Sequence, residues 1–317
     1  MNQTAPVKSS AFFVFMMLCI IISGWPVPEI ASADPADSTQ TPSSPSQARS
    51  ALTDRMQEEK KTGESPFVIT PHRPNYLLPF TYNAAPNSVP FSIGEDEFDN
   101  VEVKFQISLK YQLIENIFEK NIDLYFAYTN QSYWQAYNKD ASSPFRETTH
   151  EPEIWMNFHT DVTLFGITVN QISVGGVHQS NGRSGTLSRS WNRIYADIVF
   201  HAGNFYFNLK PWYRIPEEDK QSPEDTSGDD NPDIEKYLGY GELRALYNWK
   251  SHNFSMMLRN NLRGSENKGA ISLEWSFPLF KRLKGFVQYF NGYGESLIDY
   301  NASTNRIGAG LLLTDFL

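Results

Sequence analysis

A strict two-residue alternation is the feature that most constrains the fold of this 317-residue chain. Across residues 101–113, every odd-numbered position is apolar or aromatic and every even-numbered position is polar or charged. Because successive side chains of a β-strand point to opposite faces, the run predicts a strand with one apolar and one polar face. It is longer than most strands of soluble proteins. The chain is therefore predicted to form a sheet of long, two-faced strands.

About twelve segments of the chain have strand character, and no segment predicts a confident amphipathic helix. They are 76–82, 101–113, 122–128, 153–160, 168–180, 190–201, 204–215, 237–249, 254–262, 270–277, 283–291 and 306–313. Short turns alternate with long polar loops such as 216–232, and bacterial barrels combine such loops with even strand numbers. Pro79 should restrict the first strand to an edge or seam. The predicted fold is all-β, a transmembrane antiparallel β-barrel of about twelve strands.

The N-terminal segment predicts export. Lys8 precedes an apolar run at 11–23, and the small residues at 31–33 offer a cleavage site, so residues 1–33 are interpreted as a signal peptide. The apolar run is too short for a spanning helix, which needs about 20 residues. The expected location is the bacterial outer membrane.

The mature chain divides into two predicted parts. Residues 34–65 are rich in Ser, Pro and Thr and are expected to be disordered, whereas 66–317 form the barrel domain. The only cysteine, Cys19, lies in the signal peptide, which excludes disulfides and thiol catalysis in the mature protein. A net charge of −9 argues against a nucleic-acid partner.

The candidate chemistry lies between residues 176 and 195. His178 and Ser180 are two apart, so they share one face of an extended strand. If the chain reverses around Gly185, Asn192 falls directly opposite His178, where facing Cβ atoms are about 5 Å apart. A serine nucleophile needs a base to take its proton, and the base needs a third group to hold its ring. These three residues are therefore candidates for a Ser-His-Asn triad.

The candidate triad shares its face with apolar residues. Ile172 and Val174 have the parity of His178, and Ile194 has the parity of Asn192. A soluble sheet would bury this face in a core, but a membrane barrel would turn it toward lipid.

The spacing of His178 and Ser180 is weak evidence by itself. No Gly-x-Ser-x-Gly segment occurs, which disfavours a soluble α/β hydrolase. Ser184 and Ser190 are rival nucleophiles, but only Ser180 shares a strand face with His178. The remaining candidates among the histidines, His150, His159 and His201, are expected in loops or the barrel interior.

The segments His178-Gln-Ser-Asn-Gly-Arg-Ser and Ser188-Arg-Ser-Trp-Asn-Arg resemble the active-site segment of the outer membrane phospholipase A family. Residues 142–148, 230–233 and 292–301 resemble other segments of that family in the same order. The resemblance covers the chain from about residue 65 to its end. It implies a twelve-stranded barrel with its active site on the outer wall, with Ser180 as nucleophile, His178 as general base and Asn192 as the orienting residue.

The same resemblance implies calcium and a homodimer. In the family, calcium and a backbone amide stabilise the oxyanion, and the metal binds at the dimer interface. The matching ligands are Ser188 and the carbonyl of Arg183 from one subunit and the carbonyl of Ser142 from the other. Gly185 stands where some relatives carry an acidic residue, so only Asp230 suggests a second calcium site, and none is claimed.

The sequence therefore predicts a calcium-dependent outer membrane phospholipase, with A1, A2 and lysophospholipase activity on glycerophospholipids and activation by dimerisation. The main alternative is a passive channel or structural barrel, with inward residues such as Arg193 and Lys210 lining a pore. A degenerate, non-catalytic phospholipase is disfavoured because all three reacting residues are present. Head-group preference, acyl-chain preference and a dimer contact by Asn130 are left open.

Overall fold

The structure is a computed structural model that describes residues 68–92, 97–222, 225, 227–281 and 283–315. The predicted signal peptide at 1–33 and the predicted disordered segment at 34–65 lie outside the described residues. No helix within these ranges is long and apolar enough to span a membrane.

Thirteen strands occur in the described ranges, and all of them pair antiparallel. They are β1 (Thr70–Pro71), β2 (Asn75–Asn83), β3 (Val101–Ile114), β4 (Ile122–Trp134), β5 (Phe145–Leu164), β6 (Ile167–Ser180), β7 (Ser190–Ala202), β8 (Phe205–Ile215), β9 (Gly241–Trp249), β10 (His252–Asn260), β11 (Gly269–Phe280), β12 (Leu283–Tyr293) and β13 (Ser303–Thr314). A one-turn helix, α1 (Glu235–Leu238), precedes β9.

Strands β2 to β13 close into a twelve-stranded barrel. Each strand pairs with the next along the chain, and the last strand, β13, pairs with β2. The short β1 adds to one end of β3. Pro79 lies in β2 where the register shifts toward both neighbours, because proline cannot donate a ladder hydrogen bond. The prediction of a seam position for this strand is confirmed, as is the all-β barrel of about twelve strands.

Two predicted segments differ most from the observed elements at their starts, and the segment 122–128 is extended by β4 to Trp134. Strand β5 begins at Phe145, well before the predicted start at residue 153. The predicted strand 237–249 begins instead with the end of α1, and β9 starts at Gly241. The reason in the first case is that both faces of this part of β5 are polar, so hydropathy does not alternate.

The barrel interior contains a network of paired charges beside separate clusters of buried apolar residues. Arg146 Nη1 lies 2.6 Å from Asp299 Oδ2, and Arg306 Nε lies 2.8 Å from Glu295 Oε2. Lys104 donates to the same Glu295 carboxylate at 3.0 Å. All five side chains are buried. Beside this network lies an interior cavity of about 800 Å³.

The outer wall has the opposite character. Alternate residues along its strands are exposed and apolar, for example Ile154 and Met156 on β5 and Val174 on β6. Such a surface is stable in hydrocarbon and unfavourable in water. The two-residue alternation of the sequence therefore produces a barrel wall with lipid-compatible side chains outside and ion pairs inside.

Candidate active site

The site is built on the β6–β7 hairpin, whose register places His178 directly opposite Asn192 and Ser180 opposite Ser190. The connecting loop contains Gly182 and Gly185, with φ angles of +64° and +63°. Glycine adopts this left-handed conformation readily, whereas a residue with a Cβ atom would be strained there. The predicted pairing of His178 with Asn192 across this reversal is confirmed.

The three candidate residues face outward. They alternate with Gln179, Arg193 and Tyr195, which line the interior cavity. His178 is exposed, and Ser180 and Asn192 are half-buried. The apolar parity seen in the sequence thus corresponds to the outer wall.

Inward-facing neighbours hold the two strands together beneath the site. Gln179 and Trp191 are cross-strand partners, and Trp191 Nε1 donates to Gln179 Oε1 at 2.6 Å. Trp191 is fully buried and meets Trp212 edge to face, with ring centroids 6.1 Å apart. Aromatic pairs of this kind add about 0.5–1.5 kcal/mol beyond area burial. The register of the hairpin is therefore fixed from inside the barrel.

A hydrogen bond joins the histidine to the asparagine. His178 Nδ1 lies 2.9 Å from Asn192 Oδ1. An amide oxygen can only accept, so Nδ1 carries the proton and the neutral ring presents Nε2 as an acceptor. No hydrogen bond to the Ser180 hydroxyl is formed by any residue of the described ranges. This leaves the hydroxyl available, and such contacts commonly tighten only when substrate binds.

Glu217 is a site residue that the sequence did not reveal. It lies in the long loop after β8, where Asn192 Nδ2 donates to Glu217 Oε1 at 3.0 Å. This bond fixes the orientation of the amide, with the nitrogen toward the carboxylate and the oxygen toward His178. The signal available in the sequence was only an acidic loop, with no periodicity to bring residue 217 to residue 192.

The loop between β6 and β7 is organised by the buried Asn181. Its Oδ1 accepts from the backbone nitrogens of Arg183 and Arg189 at 3.2 and 3.0 Å, and its Nδ2 donates to the Leu187 carbonyl at 2.9 Å. These bonds hold together the two sides of the segment that contains Arg183 and Ser188, two of the predicted calcium ligands.

Side-chain oxygen atoms of Ser188, Ser190 and Asp230 lie close together at the end of this loop. Ser188 and Ser190 both donate to Asp230 Oδ2, at 2.8 and 3.0 Å. Lys220 pairs with the other carboxylate oxygen. Within the described ranges no group of three or more His, Cys, Asp or Glu side chains could hold a metal ion. A cation bound here would therefore depend largely on neutral oxygens.

The remaining predicted ligand, Ser142, belongs to a different loop. It is exposed in the β4–β5 loop with a left-handed φ of +59°, and its amide donates to the Lys139 carbonyl at 3.1 Å. The guanidinium of Arg183 bridges the two regions, since Nη2 donates to the carbonyls of Phe145 and Arg146 at 3.0 and 2.8 Å.

His150 is placed differently from the prediction, which assigned it to a loop or the interior. It lies on the outer wall in β5, where it is the cross-strand partner of both Asn130 and Ser180. With Ser190, these residues form a polar row across four neighbouring strands of an otherwise apolar surface. His159 and His201 do point inward or to the barrel end, where they contact Asp123 and Asn170. The predicted strand began at residue 153, so it did not include His150, whereas β5 begins at Phe145.

A closed antiparallel barrel with an apolar outer wall and an ion-paired interior is the architecture of a bacterial outer-membrane protein. A family model described as Phospholipase A1 matches residues 52–313 of the chain. The chain therefore belongs to the phospholipase A1 family, and it is an outer-membrane protein.

Individual relatives agree over most of the chain. Phospholipase A1 of Klebsiella pneumoniae is 39% identical over 255 residues, which span 80% of this chain and 84% of the relative. Outer membrane phospholipase A from Escherichia coli has the same fold, with a TM-score of 0.73 and 37% identity over 80% of this chain and 95% of that one. The Salmonella typhi outer membrane phospholipase, solved as a dimer with bound calcium, has a TM-score of 0.73, 38% identity and the same coverage.

Proposed function

We propose that this protein hydrolyses acyl esters of glycerophospholipids at the outer wall of the barrel, with Ser180 as nucleophile, His178 as general base and Asn192 as the residue that orients the base. The observation that carries the proposal is the 2.9 Å contact between His178 Nδ1 and Asn192 Oδ1 on the lipid-facing side, next to a serine hydroxyl that no described residue engages in a hydrogen bond. Membership of the phospholipase A1 family supports the substrate class.

In the acylation step, Ser180 Oγ attacks the ester carbonyl carbon while its proton passes to His178 Nε2. The bond between the carbonyl carbon and the glycerol oxygen then breaks, and His178 returns the proton to that oxygen. A lysophospholipid leaves and the acyl group remains on Ser180. The imidazolium formed in this step is held by Asn192 Oδ1, which is a weaker partner than a carboxylate because it is neutral.

In the deacylation step, water attacks the acyl-serine and gives its proton to His178, and fatty acid is released as Ser180 Oγ recovers that proton. Glu217 supports both steps through its hydrogen bond with the side-chain amide of Asn192. Its carboxylate keeps the Asn192 oxygen toward the ring and places a negative charge near the imidazolium. Because the serine lies on an open wall and not in a narrow pocket, we also propose A2 and lysophospholipase activity.

The donors in the loop fit calcium. Ser188 Oγ stands beside the Asp230 carboxylate, and hydroxyl, carbonyl and carboxylate oxygens are the ligands that this hard cation prefers. Ser188 and the carbonyl of Arg183 would hold the ion from one subunit. Bound there, calcium would supply positive charge that stabilises the oxyanion of the reacting ester. The calcium in the Salmonella typhi relative supports this assignment.

The exposed Ser142 supports a dimeric active form. Its carbonyl is the ligand that a second copy of the chain would contribute to an ion held by Ser188 and Arg183. The Salmonella typhi relative is a dimer. Activity that depends on two subunits and an ion would keep the enzyme inactive in the membrane that it can degrade.

The test is fatty-acid release from phospholipid micelles by purified protein, with calcium or a chelator, combined with crosslinking. Ser180→Ala should lower release by about 10⁴-fold or more, since loss of a single triad member is typically that severe. Chelation should lower both release and the crosslinked dimer. Ser303→Ala, which changes an exposed serine at the start of β13, is the matched control and should retain release.

Two results would overturn the proposal. Equal release by Ser180→Ala and the unchanged protein would exclude Ser180 as the nucleophile. Absence of release from either, together with ion conductance in planar bilayers, would favour the passive channel. Release by a strictly monomeric species would contradict the role of the dimer alone.

A further inference from the structure

We propose that His150 is a second catalytic histidine, which donates a hydrogen bond from Nε2 to the oxygen of the reacting ester carbonyl. The inference rests on the proposed function and concerns the other side of the same serine. His150 is the cross-strand neighbour of Ser180 on β5, so the hydroxyl lies between His150 on one strand and the β7 residues on the other. Facing Cβ atoms in such pairs are about 5 Å apart.

The position of the ring supports this role. A Cβ atom built on Gly182 would lie 3.7 Å from both Nε2 and Cδ2 of His150. The Nε2 edge of the imidazole therefore faces the turn that follows Ser180. That turn is open because Gly182 has no side chain and adopts a φ of +64°. An ester carbonyl attacked by Ser180 has room to place its oxygen there.

The protonation of the ring follows from its other neighbours. His150 Nδ1 lies 2.5 Å from the Tyr128 hydroxyl and 3.5 Å from Asn130 Nδ2. A hydroxyl can donate or accept, but an amide nitrogen can only donate. Asn130 Oδ1 is engaged elsewhere, since it accepts from Ser132 Oγ at 3.2 Å, and this fixes the direction of the amide. Nδ1 is therefore the acceptor, and the neutral ring carries its proton on Nε2.

The two histidines that flank Ser180 thus have opposite tautomers. His178 is protonated on Nδ1 and presents Nε2 as a base, whereas His150 is protonated on Nε2 and presents a donor. As Ser180 Oγ adds to the carbonyl carbon, the electron pair of the C=O bond moves to oxygen, and the Nε2–H of His150 hydrogen-bonds to that oxygen without transferring its proton. In a low-dielectric surface such a preorganised donor is worth far more than in water.

The experiment compares His150→Phe, which keeps a planar ring but has no donor, with His150→Gln, whose side-chain amide can donate. His252→Phe is the matched control, because His252 is also on the outer wall and also accepts at Nδ1, from Trp275 Nε1 at 3.3 Å. Folding is followed by the heat-dependent shift in gel mobility of the barrel. Kinetics are measured with phospholipid micelles and calcium.

We expect His150→Phe to lower kcat by about 10²-fold with little change in KM, as for removal of one oxyanion donor. His150→Gln should recover at least a tenth of the original kcat, and His252→Phe should match the unchanged protein. The rate of Ser180 modification by a long-chain alkyl fluorophosphonate should fall in parallel with kcat. In that reaction charge develops on a phosphoryl oxygen at the same place.

Three outcomes would overturn the inference. They are an unchanged kcat in His150→Phe, an equal loss in the Phe and Gln variants, and an effect confined to KM, which would indicate binding of the phospholipid head group instead. Ser180→Ala in the same assay distinguishes failure of the His150 inference from failure of the proposed function. If Ser180→Ala is inactive while His150→Phe is unaffected, only the role of His150 is excluded.

Discussion

The inner and outer surfaces of the barrel wall carry polar side chains in very different surroundings. Inside, Arg146 and Arg306 are buried and their guanidinium groups contact carboxylates at 2.6 and 2.8 Å. Outside, His178 is exposed on an apolar surface, and the neighbouring Ser180 hydroxyl makes no hydrogen bond within the described ranges. The inner charges pair with one another, whereas the outer groups are held in position but left with unused hydrogen-bonding capacity.

This difference separates stability from activity. A buried charge that loses its partner destabilises a fold by several kcal/mol. An exposed polar group on a rigid strand adds little to stability, so it can be placed for chemistry. Substitutions in the interior should therefore lower stability and leave activity nearly unchanged. Substitutions at the outer site should lower activity and leave stability nearly unchanged.

The largest effect is expected on the outer wall. His178→Ala removes the general base and should lower fatty-acid release by about 10⁴-fold or more. The free energy of unfolding in detergent should change by no more than about 0.5 kcal/mol, because the side chain is exposed. His252→Ala, which removes another outer-wall imidazole, is the control and should change neither quantity. A comparable loss of stability in His178→Ala would contradict the separation of the two surfaces.

The next effect is expected in the interior. Arg306→Met leaves the Glu295 carboxylate with Lys104 as its remaining close cation and should destabilise the barrel by about 3–5 kcal/mol. Release per folded molecule should be nearly unchanged. Lys139→Met, at an exposed loop position, is the control. Urea unfolding in micelles measures the difference, and a variant as stable as the control would contradict the interpretation.

Glu217 tests whether orientation or charge matters more on the outer wall. Glu217→Ala frees the Asn192 amide to rotate and should lower kcat by about 10-fold, the smaller end of the range seen for outer partners that orient a functional histidine. Glu217→Gln retains an accepting oxygen and should lose less. Equal losses in the two variants would assign the effect to the negative charge, and both variants should then show the same shift in the pH dependence of kcat. Unchanged kcat in Glu217→Ala would exclude a positioning role.

The smallest effect concerns acid. Burial opposes ionisation of Glu295, which lies in the loop after β12, but Arg306 and Lys104 more than offset it, so the pKa of Glu295 is lowered from its usual 4.5. The pKa of Glu295 is lower in the folded state than in the unfolded state. The stability that its ion pairs contribute is therefore present above pH 4.5 and is lost as the pH falls below that value. The slope cannot exceed about 1.4 kcal/mol per pH unit for one group. The stability difference between the unchanged protein and Glu295→Gln should therefore narrow below pH 4.5, and a constant difference would contradict the pairing.

The sequence predicted those parts of the site that depend on strand parity. The two-residue period, together with the glycines of the connecting loop, was enough to place Asn192 opposite His178 and to turn both toward lipid. The barrel followed from the same signal repeated along the chain. These features are local, so a single sequence contains them.

The parts that failed depend on contacts without periodicity. Glu217 reaches Asn192 through a long loop, and nothing in the loop indicates where it returns. His150 was missed because Thr149 and Glu151 on the inner face of β5 flank polar positions on the outer face, so no alternation marked the strand. Similarly, Tyr237 and Leu238 end the α1 turn shortly before β9, and such residues are also common in strands.

The interior ion pairs have a consequence for how the barrel assembles. The contacts that link the two ends of the sheet are Arg306 of β13 with Glu102 of β3, Lys104 of β3 with Glu295, and Arg146 of β5 with Asp299. Glu295 and Asp299 lie in the loop between β12 and β13, so these partners meet only after the first and last strands join. A partly assembled sheet would expose single charges at a hydrocarbon boundary, and each would oppose insertion. Insertion and closure should therefore occur together as one cooperative event, and a chain that lacks its final strand should fail to enter the bilayer at all.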